Sequence, residues 1–205
     1  MEAVKSKKVT KPKTKSFAVV QNWINDAFGA AKLLFIESIA RAVEWSLRKY
    51  QDEKPLILNL YDDLSNMIVN LMSRFITSKL LEKGDFKRCS KIDVENESNH
   101  KSFSDMQFGY EVEEEVKRVQ NENLCSAADV FQFKANCKRI LINLVKGLRE
   151  KSPASFGIVK ELRCFNPQHI KQHSVDKLCR RFKKVLTYLI DIGRVMIFMS
   201  NSVRW

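Results

Sequence analysis

The chain has 205 residues, of which 44% are hydrophobic, and a formal net charge of +12 at pH 7. This length suffices for one domain with a buried core, and 6 glycines with 4 prolines favour long helices over a fold of many short strands. The composition also argues against a secreted disulfide framework, because the five cysteines have no regular spacing. The start of the chain lacks the apolar run of a secretory signal, and the most apolar segment, VLTYLIDIGRVMIFM, contains Asp191 and Arg194. We therefore expect a soluble intracellular protein that does not enter a membrane.

The first sixteen residues, MEAVKSKKVTKPKTKS, carry six lysines, one acid and almost no large apolar side chain. Such a segment buries too little surface to offset the chain entropy that is lost on folding. We predict a disordered basic tail over residues 1–16. Its candidate contacts to nucleic acid are Lys5, Lys7, Lys8, Lys11, Lys13 and Lys15.

Two helices are predicted after this tail. In SFAVVQNWINDAFG the apolar residues recur at helical spacing, and Gly29 is expected to end the helix. The segment AKLLFIESIARAVEWSLRKYQ predicts a second amphipathic helix. One of its faces collects Leu33, Ile36, Ile39, Ala40, Val43 and Leu47.

A third helix is predicted to begin near Pro55, since proline suits the first helical turn. We expect it to run to about Leu81 and to stop at Gly84, with a flexible loop following near residues 85–108. The short segment KIDV within that loop is typical of an extended piece. The third helix has an apolar stripe formed by Leu56, Leu60, Leu64, Met67, Ile68, Leu71, Met72 and Phe75.

The second half of the chain is also predicted to be helical. EVEEEVKRVQ indicates a short acidic helix, and Ser126 is expected to cap a longer one. The apolar positions of this longer helix are Val130, Phe133, Cys137, Ile140, Leu141, Leu144, Val145 and Leu148.

Three further elements are predicted towards the end of the chain. Ser152 and Pro153 are expected to start a short helix through Leu162, and NPQH around Pro167 is expected to be a turn. The last helix covers roughly Ser174–Met199, before a tail over residues 200–205. The predicted fold is all-α, with about six or seven helices in an irregular bundle over residues 17–199.

Four acidic residues near the third helix are candidates for a metal site. Successive helical residues lie about 100° apart, so Asp62 and Asp63 diverge, with Asp63 beside the apolar stripe and Asp62 nearer water. Asp52 and Glu53 precede Pro55, where acids are favoured by the helix dipole. We interpret all four as surface and capping acids; the alternative is a metal pair.

Cys164, His169, His173 and Cys179 read C-x4-H-x3-H-x5-C, a set of side chains that suits tetrahedral Zn²⁺. The spacing matches no familiar zinc finger, and Pro167 lies within it. We favour the interpretation that the cysteines are buried apolar side chains. A small zinc-stabilised domain is the alternative.

The positive charge is concentrated at the two ends of the chain. Residues 1–16 contribute six lysines and one acid, a sum of +5, and residues 171–205 contribute eight cations and two acids, a sum of +6. In the run KLCRRFKKVL we expect Leu178 and Phe182 to face the core and the cations to bind a phosphate backbone. The alternative is that the cations form a solvent-exposed helix face without a partner. The candidate contacts of this run are Lys177, Arg180, Arg181, Lys183 and Lys184.

Several segments resemble the hAT-type transposase-like proteins of animal genomes. The first is AKLLFIESIARAVEWSLRKYQDEKPLILNLYDDLSNMIVNLMSRF, and the similarity continues through KIDV, FGYEVEEEV, FKANCKRILINLVKGLREKSP, LRCFNPQHI and FKKVLTYLIDIGRV. It spans roughly residues 31–195. The resemblance implies the helical region of such a protein, whose full-length relatives combine this region with an RNase-H-like catalytic fold and often a zinc-finger DNA-binding module.

That catalytic fold would perform metal-dependent strand transfer, but the sequence shows no β-rich segments for its sheet and no zinc finger ahead of the helical region. We therefore transfer no catalytic residue and expect neither enzymatic activity nor a cofactor. The expected protein is a transposon-derived, non-catalytic helical remnant in the nucleus that contacts DNA or a protein partner. The alternatives are a sequence-independent nucleic-acid-binding protein that uses its basic ends and the zinc-stabilised domain.

Overall fold

The computed structural model describes residues 14–51, 57–82, 86–170 and 174–202, and over these ranges the fold is all-α, as predicted. Six of the described helices have ten or more residues, in agreement with the expected six or seven. No strand occurs in these ranges; one isolated antiparallel bridge joins Ile76 and His100. The helices are α1 (Lys15–Ile24), α2 (Gly29–Tyr50), α3 (Ile57–Ser73), α4 (Ser78–Leu81), α5 (Phe86–Cys89), α6 (Tyr110–Asn121), α7 (Ala127–Lys151), α8 (Gly157–Leu162), α9 (Pro167–Ile170) and α10 (Val175–Ser202).

The chain divides into two compact units. Unit 1 comprises residues 1–41 and 101–140, and unit 2 comprises residues 42–100 and 141–205. The division falls within α2 and again within α7, so each of these helices contributes residues to both units. Residues 1–13 of the predicted basic tail lie outside the described ranges, whereas Lys15 and Ser16 begin α1.

The core of unit 1 is built from aromatic and β-branched side chains. Phe28 stacks on Phe133 with ring centroids 5.0 Å apart. The three valines of α6 lie on one helical face and are buried, as the apolar spacing of this acidic helix requires: Val112, Val116 and Val119. The α6 helix thus packs through a narrow apolar stripe. Glu111 and Glu114 are exposed, whereas Glu113 and Glu115 are half-buried and form ion pairs with Lys134 and Arg118.

Ser126 caps α7, as predicted. Its hydroxyl accepts a hydrogen bond from the backbone N–H of Asp129 at 3.2 Å, and the Asp129 carboxylate accepts one from the backbone N–H of Ser126 at 2.9 Å. This reciprocal pair satisfies two backbone donors that the helix itself leaves unbonded. The hydrogen bonds from Ser126 also lower the pKa of Asp129, because they stabilise the charged carboxylate.

The prediction that Gly29 ends the first helix was wrong. The helix α1 ends at Ile24, and the Asp26 carboxylate accepts a hydrogen bond from the backbone N–H of Phe28 at 2.9 Å, which turns the chain. Gly29 then begins α2, and a Cβ there would lie 2.8 Å from the carbonyl oxygen of Trp23. Glycine is needed at this position because of that close approach.

The buried face of α2 in unit 1 differs from the face that the apolar spacing suggested. Ala31, Phe35 and Ile39 are buried, whereas Leu33 and Ile36 are exposed. The run LLFI over residues 33–36 places apolar side chains all round the helix, so the sequence alone does not distinguish the two faces.

The core of unit 2 is centred on α3. Ile68, Leu71 and Met72 are fully buried on one face of this helix, as the apolar stripe predicted. The guanidinium group of Arg149 in α7 donates hydrogen bonds to the carbonyl oxygens of Ile92 at 2.8 Å and Cys89 at 2.7 Å. These bonds attach the segment after α5 to α7, and burial lowers the pKa of Arg149.

The predicted end of the third helix near Leu81 was wrong. The helix α3 ends at Ser73, and the chain turns before the short helix α4. Phe75 and Ile76 follow the end of this helix, and both are fully buried. Pairing of Ile76 with His100 holds the chain out of the helical path.

Other predicted boundaries near α3 lie outside the described residues, namely Asp52, Glu53, Pro55, Leu56 and Gly84. Within the segment predicted as a loop, Cys89 and Val94 are buried in unit 2, and Met106 and Phe108 are buried in unit 1. Its flexibility stays a prediction, as do the outer boundaries of the helical domain.

The region between α7 and α10 is more segmented than predicted. A short 3-10 helix, Pro153–Ser155, precedes α8, so the expected single helix through Leu162 is divided at Phe156. The predicted turn around Pro167 is the short helix α9. The helix α8 packs closely on α10, since a Cβ at Gly157 would overlap the hydroxyl of Tyr188.

Candidate nucleic-acid interface

The basic residues predicted to contact nucleic acid fall into two groups. Lys5, Lys7, Lys8, Lys11 and Lys13 lie outside the described residues, and Lys15 is the exposed first residue of α1 in unit 1. The second group lies on α10 in unit 2 and is formed by Lys177, Arg180, Arg181, Lys183 and Lys184.

Helical geometry gathers the second group on the polar side of α10. At about 100° per residue, Lys177, Arg180 and Lys184 fall within about 60° of one another, and Lys183 lies about 60° beyond Arg180. These four side chains are exposed, whereas Arg181 is half-buried. A rise of about 1.5 Å per residue separates the first and last cation by about 10 Å along the helix axis.

The charge on this side of α10 is only partly compensated by carboxylates. Residues 177–190 contain five cations and no acid. The Glu161 carboxylate of α8 lies 3.8 Å from Nε of Arg181 and 3.6 Å from Nζ of Lys184. Among the described residues, Lys177 and Lys183 have no carboxylate partner, and Nε of Arg180 donates to a backbone carbonyl oxygen at 3.3 Å. Asp176 lies in the first turn of α10 on the same side, so five cations and the two carboxylates of Glu161 and Asp176 leave a net positive charge of about three.

The apolar side of α10 attaches the helix to the rest of unit 2. Val185 is 2% exposed, and α10 packs on α8. The prediction that Phe182 points inward was wrong, because Phe182 is 45% exposed and contacts Phe165 edge-on, with ring centroids 5.5 Å apart. Leu178 is half-buried. The buried position is thus one turn further along the helix than predicted, and the basic side remains open to solvent.

The four residues of the zinc hypothesis are only partly described. Cys164 is buried in the 3-10 helix Arg163–Phe165, Cys179 is exposed on α10, and both line an apolar cavity of about 530 Å³. His173 and the side chain of His169 lie outside the described residues. Burial raises the pKa of Cys164, which keeps its thiol protonated at neutral pH when no metal is bound. The four-residue zinc site stays a prediction.

Asp62 and Asp63 bind different partners, so their interpretation as surface acids was incomplete. The Arg163 guanidinium donates to Asp62 through two bonds, of 2.7 and 3.0 Å. Nζ of Lys49 and the hydroxyl of Tyr50 each donate to Asp63 at 2.6 Å. Both carboxylates therefore join α3 to other parts of unit 2. The sequence did not reveal these pairs because Arg163 lies 101 residues from Asp62 and Lys49 belongs to another helix.

The hydroxyl of Tyr50 is strongly perturbed by this arrangement. Burial raises its pKa well above the ordinary value, and the hydrogen bond to the Asp63 carboxylate raises the pKa further. The phenol is therefore neutral at physiological pH and acts as a donor to Asp63.

Comparisons with family models, with curated proteins and with solved structures find no match. Within the described ranges, no helix combines the length and the apolar character that crossing a membrane requires. Within the same ranges, no group of three or more metal-ligating side chains is found. The chemical feature that distinguishes α10 is its row of exposed cations, Lys177, Arg180, Lys183 and Lys184.

Proposed function

We propose that this chain is a non-catalytic protein derived from an hAT-type transposase-like protein, and that it binds nucleic acid without sequence preference through the basic side of α10. The observation that carries the proposal is the run of five cations without an acid over residues 177–190. Two carboxylates lie near this run, those of Glu161 and Asp176, and they leave about three of the five positive charges available to a polyanion.

The dimensions of the cation row suit a phosphate backbone. It extends about 10 Å along α10, and phosphates of one DNA strand repeat about every 3.4 Å along the duplex axis, so roughly three phosphates fall within reach. Lysine and arginine contacts to phosphates position a protein on DNA without reading its sequence. The lysines of the basic tail would add further contacts of the same kind, from Lys5 to Lys15.

A binding assay tests this proposal. Fluorescence anisotropy would measure the affinity for two labelled duplexes of about 20 base pairs with unrelated sequences. We expect similar affinity for both, falling about 40- to 500-fold between about 50 and 200 mM salt if three to five phosphates are neutralised. The "α10 variant" of this assay carries Lys177→Ala, Arg180→Ala and Lys183→Ala.

A control variant with the same loss of charge separates a local site from a general effect of net charge. It replaces three exposed cations elsewhere in the chain, through Lys79→Ala, Lys91→Ala and Arg139→Ala. The α10 variant is expected to lose about tenfold or more in affinity, while the control variant stays close to the wild type. Equal losses in both variants, or strong discrimination between the two duplexes, would reject the proposal.

The non-catalytic part of the proposal has its own test. Incubation with duplex DNA and Mg²⁺ or Mn²⁺ is expected to leave the DNA intact, because Asp62 is engaged by Arg163 and Asp63 by Lys49 and Tyr50. Reproducible nicking that Asp62→Ala abolishes would overturn it.

Binding of a protein partner is a second candidate function. Exposed apolar side chains continue along α10 beyond its cations, at Leu186, Leu189 and Ile190. Association through this surface would respond weakly to salt, since it buries apolar area rather than neutralising phosphates. Salt dependence therefore distinguishes the two functions.

A further inference from the structure

The helix α1 in unit 1 carries an apolar face that the proposed function does not use. None of the ten residues of this helix is buried. Its larger exposed apolar side chains are between 40% and 66% exposed, namely Val19, Val20, Trp23 and Ile24. An isolated helix shorter than about 12–15 residues is only marginally stable in water. A partner that covers this face would therefore stabilise α1.

The apolar residues of α1 share almost half of its circumference. At about 100° per residue they fall within an arc of about 160°. In order round the helix they are Val19, Trp23, Val20, Ile24 and Phe17. Ser16 of the first turn also lies in this arc, whereas Gln21 and Asn22 lie on the opposite side. The helix is thus divided into an apolar half and a polar half.

The width of this face favours a flat apolar boundary over a groove on another protein. A groove that accepts a helix contacts a stripe of residues spaced by three and four, such as Phe17, Val20 and Ile24, which spans about 60°. Val19 and Trp23 extend the apolar face well beyond that stripe. A helix that lies in the plane of a membrane surface buries such a broad face at the boundary between headgroups and acyl chains.

The charge beside this face requires an anionic partner. Residues 3–25 contain six lysines and no acid. The last of these lysines, Lys15, is the exposed first residue of α1. The phosphates of nucleic acid would match the charge, but they offer no apolar phase for Val20 and Ile24. An anionic membrane offers both, because its headgroups attract lysines and its acyl chains accept apolar side chains.

We infer that α1 and the lysines that precede it bind the surface of an anionic lipid membrane, with Val20, Trp23 and Ile24 at the boundary between headgroups and acyl chains. Tryptophan suits this boundary because its ring is largely apolar and its N–H is polar. Binding of this kind needs no helix that crosses the membrane. The site lies in unit 1 and the basic side of α10 lies in unit 2, so the inference does not depend on the proposed function.

Sedimentation with lipid vesicles tests the charge of the partner in the full-length protein. One set of vesicles is pure phosphatidylcholine, and the other contains about 30% phosphatidylserine, an anionic lipid. We expect binding to the anionic vesicles to be at least about 100-fold stronger, a factor that roughly three of the six lysines at the surface would supply. A difference of less than about tenfold would overturn the inference, because lysines at an anionic surface must contribute more than that.

Substitutions that keep the net charge test the apolar face. The "α1 variant" carries Val20→Ser and Ile24→Ser, and it should bind anionic vesicles about 10- to 100-fold more weakly because two half-exposed aliphatic side chains are lost. The "apolar control" carries Leu47→Ser and Ile57→Ser, whose side chains are exposed to a similar degree in unit 2, and should bind like the wild type. Both variants change exposed residues, and circular dichroism establishes that each is folded.

The same variants separate the membrane from other partners. An α1 variant that binds anionic vesicles as strongly as the wild type would overturn the inference, as would an equal loss in the apolar control. A wild-type dimer that the α1 variant converts to a monomer in size-exclusion chromatography would make the face a contact between copies of the chain. The α1 variant should keep the DNA affinity of the wild type; a tenfold loss would assign the face to nucleic acid. Failure of this inference and failure of the proposed function thus give different results.

Discussion

Replacing Asp62 by alanine is expected to destabilise unit 2, because it removes a two-bond ion pair. The Arg163 guanidinium donates to both carboxylate oxygens of Asp62, at 2.7 and 3.0 Å. The same guanidinium lies over the ring of Tyr61, with its central carbon 4.9 Å from the ring centroid. The substitution therefore removes the ion pair and leaves the contact with the aromatic ring in place.

The exposure of the two side chains sets the expected magnitude. Arg163 is 22% exposed and Asp62 is 28% exposed. Exposed ion pairs contribute about 0–1 kcal/mol, whereas hydrogen bonds to charged groups contribute about 1.5–3 kcal/mol. With about a quarter of each side chain in water, we expect a coupling energy of about 1–2 kcal/mol. Arg163→Ala should cost about 0.5–1 kcal/mol more than Asp62→Ala, because it also removes the contact with Tyr61.

A double-mutant cycle measures this coupling directly. Urea unfolding of the wild type, Asp62→Ala, Arg163→Ala and the double variant would be followed by circular dichroism. Repeating the series with added Mg²⁺ distinguishes the ion pair from a metal site. A coupling energy below about 0.5 kcal/mol, the range of independent sites, would refute the reasoning. So would a Mg²⁺-dependent stabilisation that disappears in Asp62→Ala.

Three further substitutions in unit 2 are expected to change the free energy of unfolding in a defined direction. Tyr50→Phe should reduce the loss of stability at alkaline pH. The pKa of Tyr50 is raised in the folded chain, first by burial and then by Asp63. Above the unfolded pKa of about 10, the phenol therefore ionises more readily in the unfolded chain, and the stability that is fully present below that pH is lost. Unfolding free energies measured across that pH range would test the difference. Ser46→Ala should stabilise the protein by about 1 kcal/mol in urea unfolding, because it removes a buried hydroxyl that has no partner within the described part of the chain. Gly147→Ala should stabilise it by about 0.5–1 kcal/mol in the same assay, because glycine is unfavourable inside a helix and a Cβ here would meet no atom within 4 Å. Destabilisation by either change would contradict the surroundings described for these two residues.

Local periodicity was sufficient to predict most of the helices. In α7 the buried residues Phe133, Cys137, Leu141 and Val145 follow one another at intervals of four. A strand would place Arg139 and Asn143 on the same face, so the pattern favours a helix. The cap at Ser126 was predictable for the same reason, because its partner is only three residues away. Features that depend on neighbours in the sequence could therefore be predicted.

Features that depend on residues distant in the sequence could not be predicted. The end of α3 depends on the pairing of Ile76 with His100, and helical periodicity before Phe75 gave no sign of it. The start of α2 depends on the carbonyl oxygen of Trp23 lying close to Gly29. A glycine signals unusual backbone or close packing, and only the folded chain distinguishes a helix end from a helix start.

The candidate sites show the same division. The cations of α10 lie on one helix, so their arrangement followed from the sequence and from helical geometry. The ion pair between Asp62 and Arg163, in contrast, joins residues 101 positions apart, and such a pair has no signature in the sequence.

The salt dependence of DNA binding tests most directly whether α10 contacts phosphates. The slope of the logarithm of the binding constant against the logarithm of salt concentration counts the neutralised phosphates, at about 0.9 per contact on a duplex. We expect the slope of the α10 variant to be shallower than that of the wild type by about 2–3, while the control variant keeps the wild-type slope. An α10 variant with the slope of the wild type would show that these cations do not meet nucleic acid.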